Sequence, residues 1–181
     1  MEAGTRMFYP VQVVDGHVTA LGGSPLRNYL QALNELSDGV RCPVGQAVLS
    51  PALGNLHRYY KVIAHAVAPS RSDVNWRSSL EGCYRDALEK LWFPKRRTKV
   101  EDDRSDGWRH EVPARVVATP LLGAGAKLAS AREAAEVAAK VLASIEPPPL
   151  VMDGDSQWVV RFGLLEKNTA EEFAAALDSV L

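Results

Sequence analysis

Arg115-Val116-Val117-Ala118-Thr119-Pro120-Leu121-Leu122-Gly123-Ala124-Gly125-Ala126, running on to Ile145, is the stretch on which the fold turns. Val116-Val117-Ala118 suits a buried strand, and Thr119 to Ala126 is a turn of small residues. Ser130 and Glu133 then stand at capping-box spacing for a helix start. Ala134, Val137, Ala138, Val141, Leu142 and Ile145 recur at threes and fours, one buried helical face. A strand leading through glycines to a helix N-terminus can receive an anion, because glycines let backbone approach a phosphate and the helix start offers unpaired N–H groups. The same glycines also suit a tight strand-to-helix turn that needs them for steric reasons alone.

Upstream, Phe8 to Val14 reads as a strand stopped by Asp15-Gly16, and His17-Val18-Thr19-Ala20-Leu21 as a second short extended piece before Gly22-Gly23. Ser24-Pro25 marks a helix start, with Leu26, Tyr29, Leu30 and Leu33 on one face and Gly39 placed to end the segment. Gln46 to Leu49 and Tyr59 to Val67 read as central strands covered on both faces. His65, inside the second of these, is either a hydrogen-bonded core residue or a group titrating near neutrality. The pattern over 77–92 predicts a helix capped by Ser78 and Glu81, with Leu80, Cys83, Tyr84, Ala87, Leu88 and Leu91 in its stripe.

Between Pro94 and Pro113, basic Lys95-Arg96-Arg97-Thr98-Lys99 precedes acidic Glu101-Asp102-Asp103 without apolar periodicity. This predicts a solvated insertion loop at about 94–112, or a nucleic-acid contact whose field the neighbouring acids partly cancel. After Pro147-Pro148-Pro149, Gln157 to Leu165 is a final strand, and Thr169 and Glu172 cap a last helix carrying Phe173, Ala176, Leu177 and Val180. Alternating strands and helices predict a three-layer α/β/α sandwich around a mixed, largely parallel sheet. The 181 residues suit a single domain spanning 1–181.

The composition is 46% hydrophobic and 24% charged, with a formal net charge of -1. Such a charge gives no global attraction to nucleic acid or an anionic membrane. Cys42 and Cys83 form neither a zinc spacing nor a disulfide framework, which points to a reducing cytoplasm. No apolar run approaches membrane-spanning length, and the first residues lack the form of a signal peptide.

Three stretches together resemble a macrodomain, the module known for binding ADP-ribose. Cys42 to Pro51 and Tyr60 to Pro69 look like the family's paired central strands, the second carrying its histidine signature at His65. Leu80 to Leu88 looks like the following helix. Ala118 to Ala126 and the alanine-rich helix look like the phosphate-binding loop and its helix. The likeness covers roughly residues 42–180, most weakly from Val159 to Ala176.

The resemblance implies that Leu122, Gly123, Ala124, Gly125 and Ala126 cradle a diphosphate. The aromatic that usually follows is Lys127 here, able to contact a phosphate, and the next glycine is Leu128. Gly16 to Leu21 looks like the segment whose aspartate recognises adenine, a position held by His17. The strand carrying the family's asparagines is absent or collapsed into Gly22-Gly23-Ser24; in an alternative register it falls on Val11 to Gly16, again without asparagine. Gly22 and Gly23 are then a shortened first loop or a simple connection.

Three functions follow as expectations. The first is a binding module for ADP-ribose, an ADP-ribosylated protein or a related nucleotide diphosphate. The second is a weak ADP-ribosyl hydrolase, disfavoured because the asparagine strand and first loop are missing, with His17 the one residue that bears on it. The third is a degenerate macrodomain scaffold for protein, or for RNA through 95–99. No catalytic residue, metal or cofactor is assigned.

Overall fold

The computed structural model describes residues 14–36, 39–94, 108–125, 127–149, 157–164 and 166–180. Its elements are α1 (Val14–Gln31), β1 (Ala47–Pro51), a 3-10 turn (Gly54–Arg58), β2 (Val62–Ala66), α2 (Trp76–Trp92), β3 (Val116–Pro120), α3 (Ala131–Ser144), β4 (Val159–Gly163) and α4 (Lys167–Asp178). Strands and helices alternate as expected, and the sheet content is mixed. β1 and β2 pair antiparallel, with Val48 opposite His65, while β3 and β4 pair parallel, with Val117 opposite Val160. Among the described residues these are two separate two-stranded sheets.

Helix α2 joins them. Strand side chains point alternately to opposite faces. Val48 therefore packs with Leu33 on the α1 side, whereas Leu49 packs with Leu88, Leu91 and Trp92 of α2. The same cluster takes in Val117 of β3, so α2 covers one face of each sheet. Its first half, Leu80 and Tyr84, packs against Ala134, Val137, Ala138 and Val141 of α3 and Phe173 of α4. Lys90 is buried among these contacts, its ammonium donating to the Ala47 carbonyl at 2.5 Å and to Asp86 at 2.9 Å. Asp86 in turn accepts the Ala47 amide at 2.7 Å. That pair fastens β1 to the helix.

Several expectations need correction. His17 to Leu21 is helical, not extended, and Val18 there shares a cluster with Leu26, Ala52 and Leu56. Gly23 breaks α1 at φ 59, ψ -153, a conformation open in practice only to glycine. Gly54 sits so close that any side chain there would overlap the carbonyls of Leu21 and Gly22. A side chain on Gly22 would likewise overlap that of Leu26. The helix ends at Gln31, well before Gly39.

Two expected capping boxes are also wrong. α2 begins at Trp76, which is buried, and Ser78 donates to the Asn75 carbonyl at 3.0 Å. Glu81 instead accepts from Lys140 at 2.6 Å. α4 starts at Lys167, two residues before Thr169, with no side-chain cap. Ser130 and Glu133 do form the full box at α3.

His65 is half-buried and hydrogen-bonded: its Nε2 lies 2.8 Å from the hydroxyl of fully buried Ser50. Of the expected strand from Phe8 to Val14 only Val14 is described, and it opens α1 rather than closing a strand; the basic cluster 95–99 and most of the insertion lie outside the described residues. Within it, Trp108 packs edge-on against Tyr29, with ring centroids 6.3 Å apart, and His110 meets the Leu91 carbonyl at 3.0 Å. At that end of the insertion Trp108 and His110 are therefore docked, while Arg109, Glu111 and Val112 between and after them stay exposed.

Candidate functional site

The loop from Leu121 to Ala129 leaves the C-terminal end of β3 and delivers the chain to α3. Gly123, buried under Leu80, and Gly125, exposed, both have positive φ, at 83 and 75. Nothing lies within 4 Å of where a Gly125 side chain would stand. Backbone with that open space in front of it can be approached by a ligand atom.

The rest of the loop is fastened. The Leu122 amide donates to the Tyr84 hydroxyl at 2.7 Å, so this one expected ligand amide already has a partner. Burial pushes the Tyr84 phenol above its ordinary range, which keeps it neutral. The Leu128 amide donates to the Gly125 carbonyl at 2.8 Å and the Ala129 amide to the Gly123 carbonyl at 3.2 Å. A bridge between Ala124 and Ala129 closes the loop on itself. Lys127, half-buried, gives its carbonyl to the Arg71 amide at 2.8 Å. Ala126 lies outside the described residues.

The helix start holds a carboxylate of its own. Glu133 accepts from the Ser130 amide at 3.3 Å, and the Ser130 hydroxyl accepts the Glu133 amide at 3.2 Å. Arg71 and Arg77 both reach Glu133, at 3.0 and 3.3 Å, and their guanidinium groups lie 4.7 and 4.6 Å from the Trp76 ring centre. The Arg71 hydrogen bond, followed by that from Ser130, holds the Glu133 carboxyl below its usual range. With its own acid at the helix end, α3 has little to offer a second anion. A phosphate would have to rest on the loop backbone.

His17 and Ser24 are exposed on α1, Gly23 is half-buried and Gly22 is buried. Helix α1 packs on the 3-10 turn through Leu26 and Leu56, a different cluster from that holding the 121–124 loop. Tyr84 and Arg71 were not read from the sequence as loop partners. The one trace of Tyr84 was a polar tip within an apolar helical stripe. Among the described residues, no three His, Cys, Asp or Glu side chains are placed to hold a metal, and no helix is long and apolar enough to cross a membrane.

The family model described as Macro domain matches residues 5–138. The chain belongs to the macro domain family. No curated protein matches this macro domain in sequence. Its fold is similar to that of the Oceanobacillus iheyensis macrodomain with ADP, at a TM-score of 0.65 and 19% identity, over 92% of this chain and 75% of that one. A mutant of the same macrodomain with ADPR gives 0.66 and 19%, over 92% and 77%. The Trypanosoma brucei macrodomain in complex with ADP gives 0.62 and 15%, over 91% and 56%. At such identities the likeness establishes the macro domain fold.

Proposed function

We propose that this macro domain binds ADP-ribose, free or carried on a protein, or a related nucleotide diphosphate, with the diphosphate on the 122–126 loop. The observation that carries the reading is Gly125: exposed, at φ 75, with open space where a side chain would stand. The Leu122, Leu128 and Ala129 amides already have partners, so a phosphate would recruit amides between Gly123 and Lys127. Membership of the family, and solved relatives holding ADP or ADPR, support the ligand class. We read 1–181 as one domain built around this loop.

The test is calorimetric titration of ADP-ribose into the parent and Gly125→Val. A branched side chain at positive φ both fills the space and strains the backbone. Losing two or three amide–phosphate hydrogen bonds, at roughly 1.5–3 kcal/mol each, weakens binding by well over tenfold. Lys127→Ala is expected to weaken it less, because a flexible, screened cation contributes little. Equal binding by a folded Gly125→Val protein overturns the assignment of this loop.

A further inference from the structure

We infer that the surface His57-Arg58-Tyr59-Tyr60-Lys61, at the entry to β2, binds single-stranded nucleic acid, stacking bases on the tyrosines and meeting phosphates with the cations. The strand expected from Tyr59 begins only at Val62, so these residues stand outside it, and all five are exposed. Tyr59 is 70% exposed and Tyr60 45%. Their ring centres lie 6.3 Å apart with the planes tilted by 57°, so neither ring is stacked flat on the other. Ring surface left in water adds nothing to the core. It is what a base can stack on.

Beneath the side chains the backbone is fixed. The Tyr59 and Tyr60 amides both donate to the Leu56 carbonyl, at 3.0 Å each, and Leu56 is fully buried in the cluster of Leu26 and Ala52. The Lys61 carbonyl accepts the Ala52 amide at 3.2 Å. The two aromatic positions are held in place before any partner arrives, which lowers the ordering cost of binding.

The charge around them is of one sign. From Gly39 to Ser72 the sequence has no Asp or Glu, while Arg41, His57, Arg58, Lys61, His65 and Arg71 fall within it. Arg41 is paired with Glu35 and Arg71 with Glu133. Arg58 and Lys61 have no ion pair among the described residues. Two uncompensated cations flanking two aromatic rings complement a phosphate chain that carries bases. An acidic peptide would satisfy the cations and offer the tyrosines no flat face. In a duplex the base faces are already stacked on one another.

This surface is separate from the glycine loop. Tyr59 to Lys61 precede the first residue of β2, whereas the loop is met beyond its last, where the Arg71 amide donates to the Lys127 carbonyl. A strand of that length spans about 16 Å.

The experiment follows the fluorescence anisotropy of labelled oligo(U) and oligo(dT), about ten nucleotides long, against a duplex of equal length and an acidic peptide, at several salt concentrations. The parent is expected to bind a single strand more tightly than either control. Tyr59→Ala and Tyr60→Ala should each weaken it by roughly fivefold or more, whereas Tyr59→Phe, which keeps the ring, should stay within about twofold. Arg58→Gln and Lys61→Gln should each lower the slope of log affinity against log salt by about 0.7, and the tyrosine variants should leave that slope unchanged. Melting curves confirm that each variant folds. A parent that binds neither strand, that prefers the duplex or the peptide, or whose binding survives both alanine variants overturns the inference. Displacement of the strand by ADP-ribose overturns it as well, since the strand would then lie on the glycine loop.

Discussion

The Tyr84 hydroxyl accepts the Leu122 amide at 2.7 Å, tying the first residue of the glycine loop to the middle of α2. The ring is 4% exposed and packs beside Phe162, so the bond is shielded from water. Tyr84→Phe keeps the shape and removes the acceptor, leaving a shielded N–H without a partner. The expected loss is about 1–3 kcal/mol of stability, read by urea unfolding. ADP-ribose affinity should fall too, because the loop loses its anchor on α2. An unchanged midpoint would show that the loop is held by other contacts.

Lys90 and Asp86 make a second link to α2. Removing one member of a buried pair strands the other charge, whereas a matched apolar replacement of both does not. Lys90→Met is expected to destabilise the protein by about 3 kcal/mol, toward the low end because Asp86 is partly exposed. Lys90→Met combined with Asp86→Leu should recover part of that loss. A double-mutant cycle in chemical denaturation measures the coupling.

Glu133 sets an acid limb. Its folded-state carboxyl titrates below the usual range because of Arg71 and Ser130. The folded protein therefore binds fewer protons there than the unfolded chain. The stabilisation is present above the ordinary carboxylate range and lost as pH falls through the lower folded value. Melting temperature followed against pH should decline over that acid interval, and Glu133→Gln should flatten this component while melting lower than the parent at neutral pH. A variant with the parent's acid limb would place the titrating group elsewhere.

Cys83 is fully buried and donates to the Val67 carbonyl at 3.2 Å. Burial pushes its thiol up to about 11, and only the thiolate is nucleophilic. Mass spectrometry after treatment with an alkylating reagent at pH 8 should find Cys83 unmodified in the native protein and modified after unfolding. Rapid native labelling would mean that α2 opens locally from β2.

The strand–glycine–helix unit was legible because its signals are local: the Ser130–Glu133 box and the alanine stripe sit within a few turns of each other. Apparent capping boxes at Ser78 and Thr169 misled for the same reason. A three-residue spacing also occurs inside helices, and α2 starts instead at buried Trp76. Helix α1 is misread because its buried partners, Ala52 and Leu56, are distant in sequence. The glycines of the candidate site were readable as residues. Their partners were not, since Tyr84 and Arg71 reach the loop only once α2 and α3 have packed.

Because α2 touches both sheets, it also imposes an order on folding. The antiparallel β1–β2 pair and α2 are neighbours along the chain, so their contacts close short loops. The parallel β3–β4 pair forms only across the whole of α3 and the prolines after it. The glycine loop is then fastened late, when α3 docks on Leu80 and Tyr84. Opening runs in reverse, so hydrogen exchange should reach β3, α3 and the loop between them before it reaches β1 and β2.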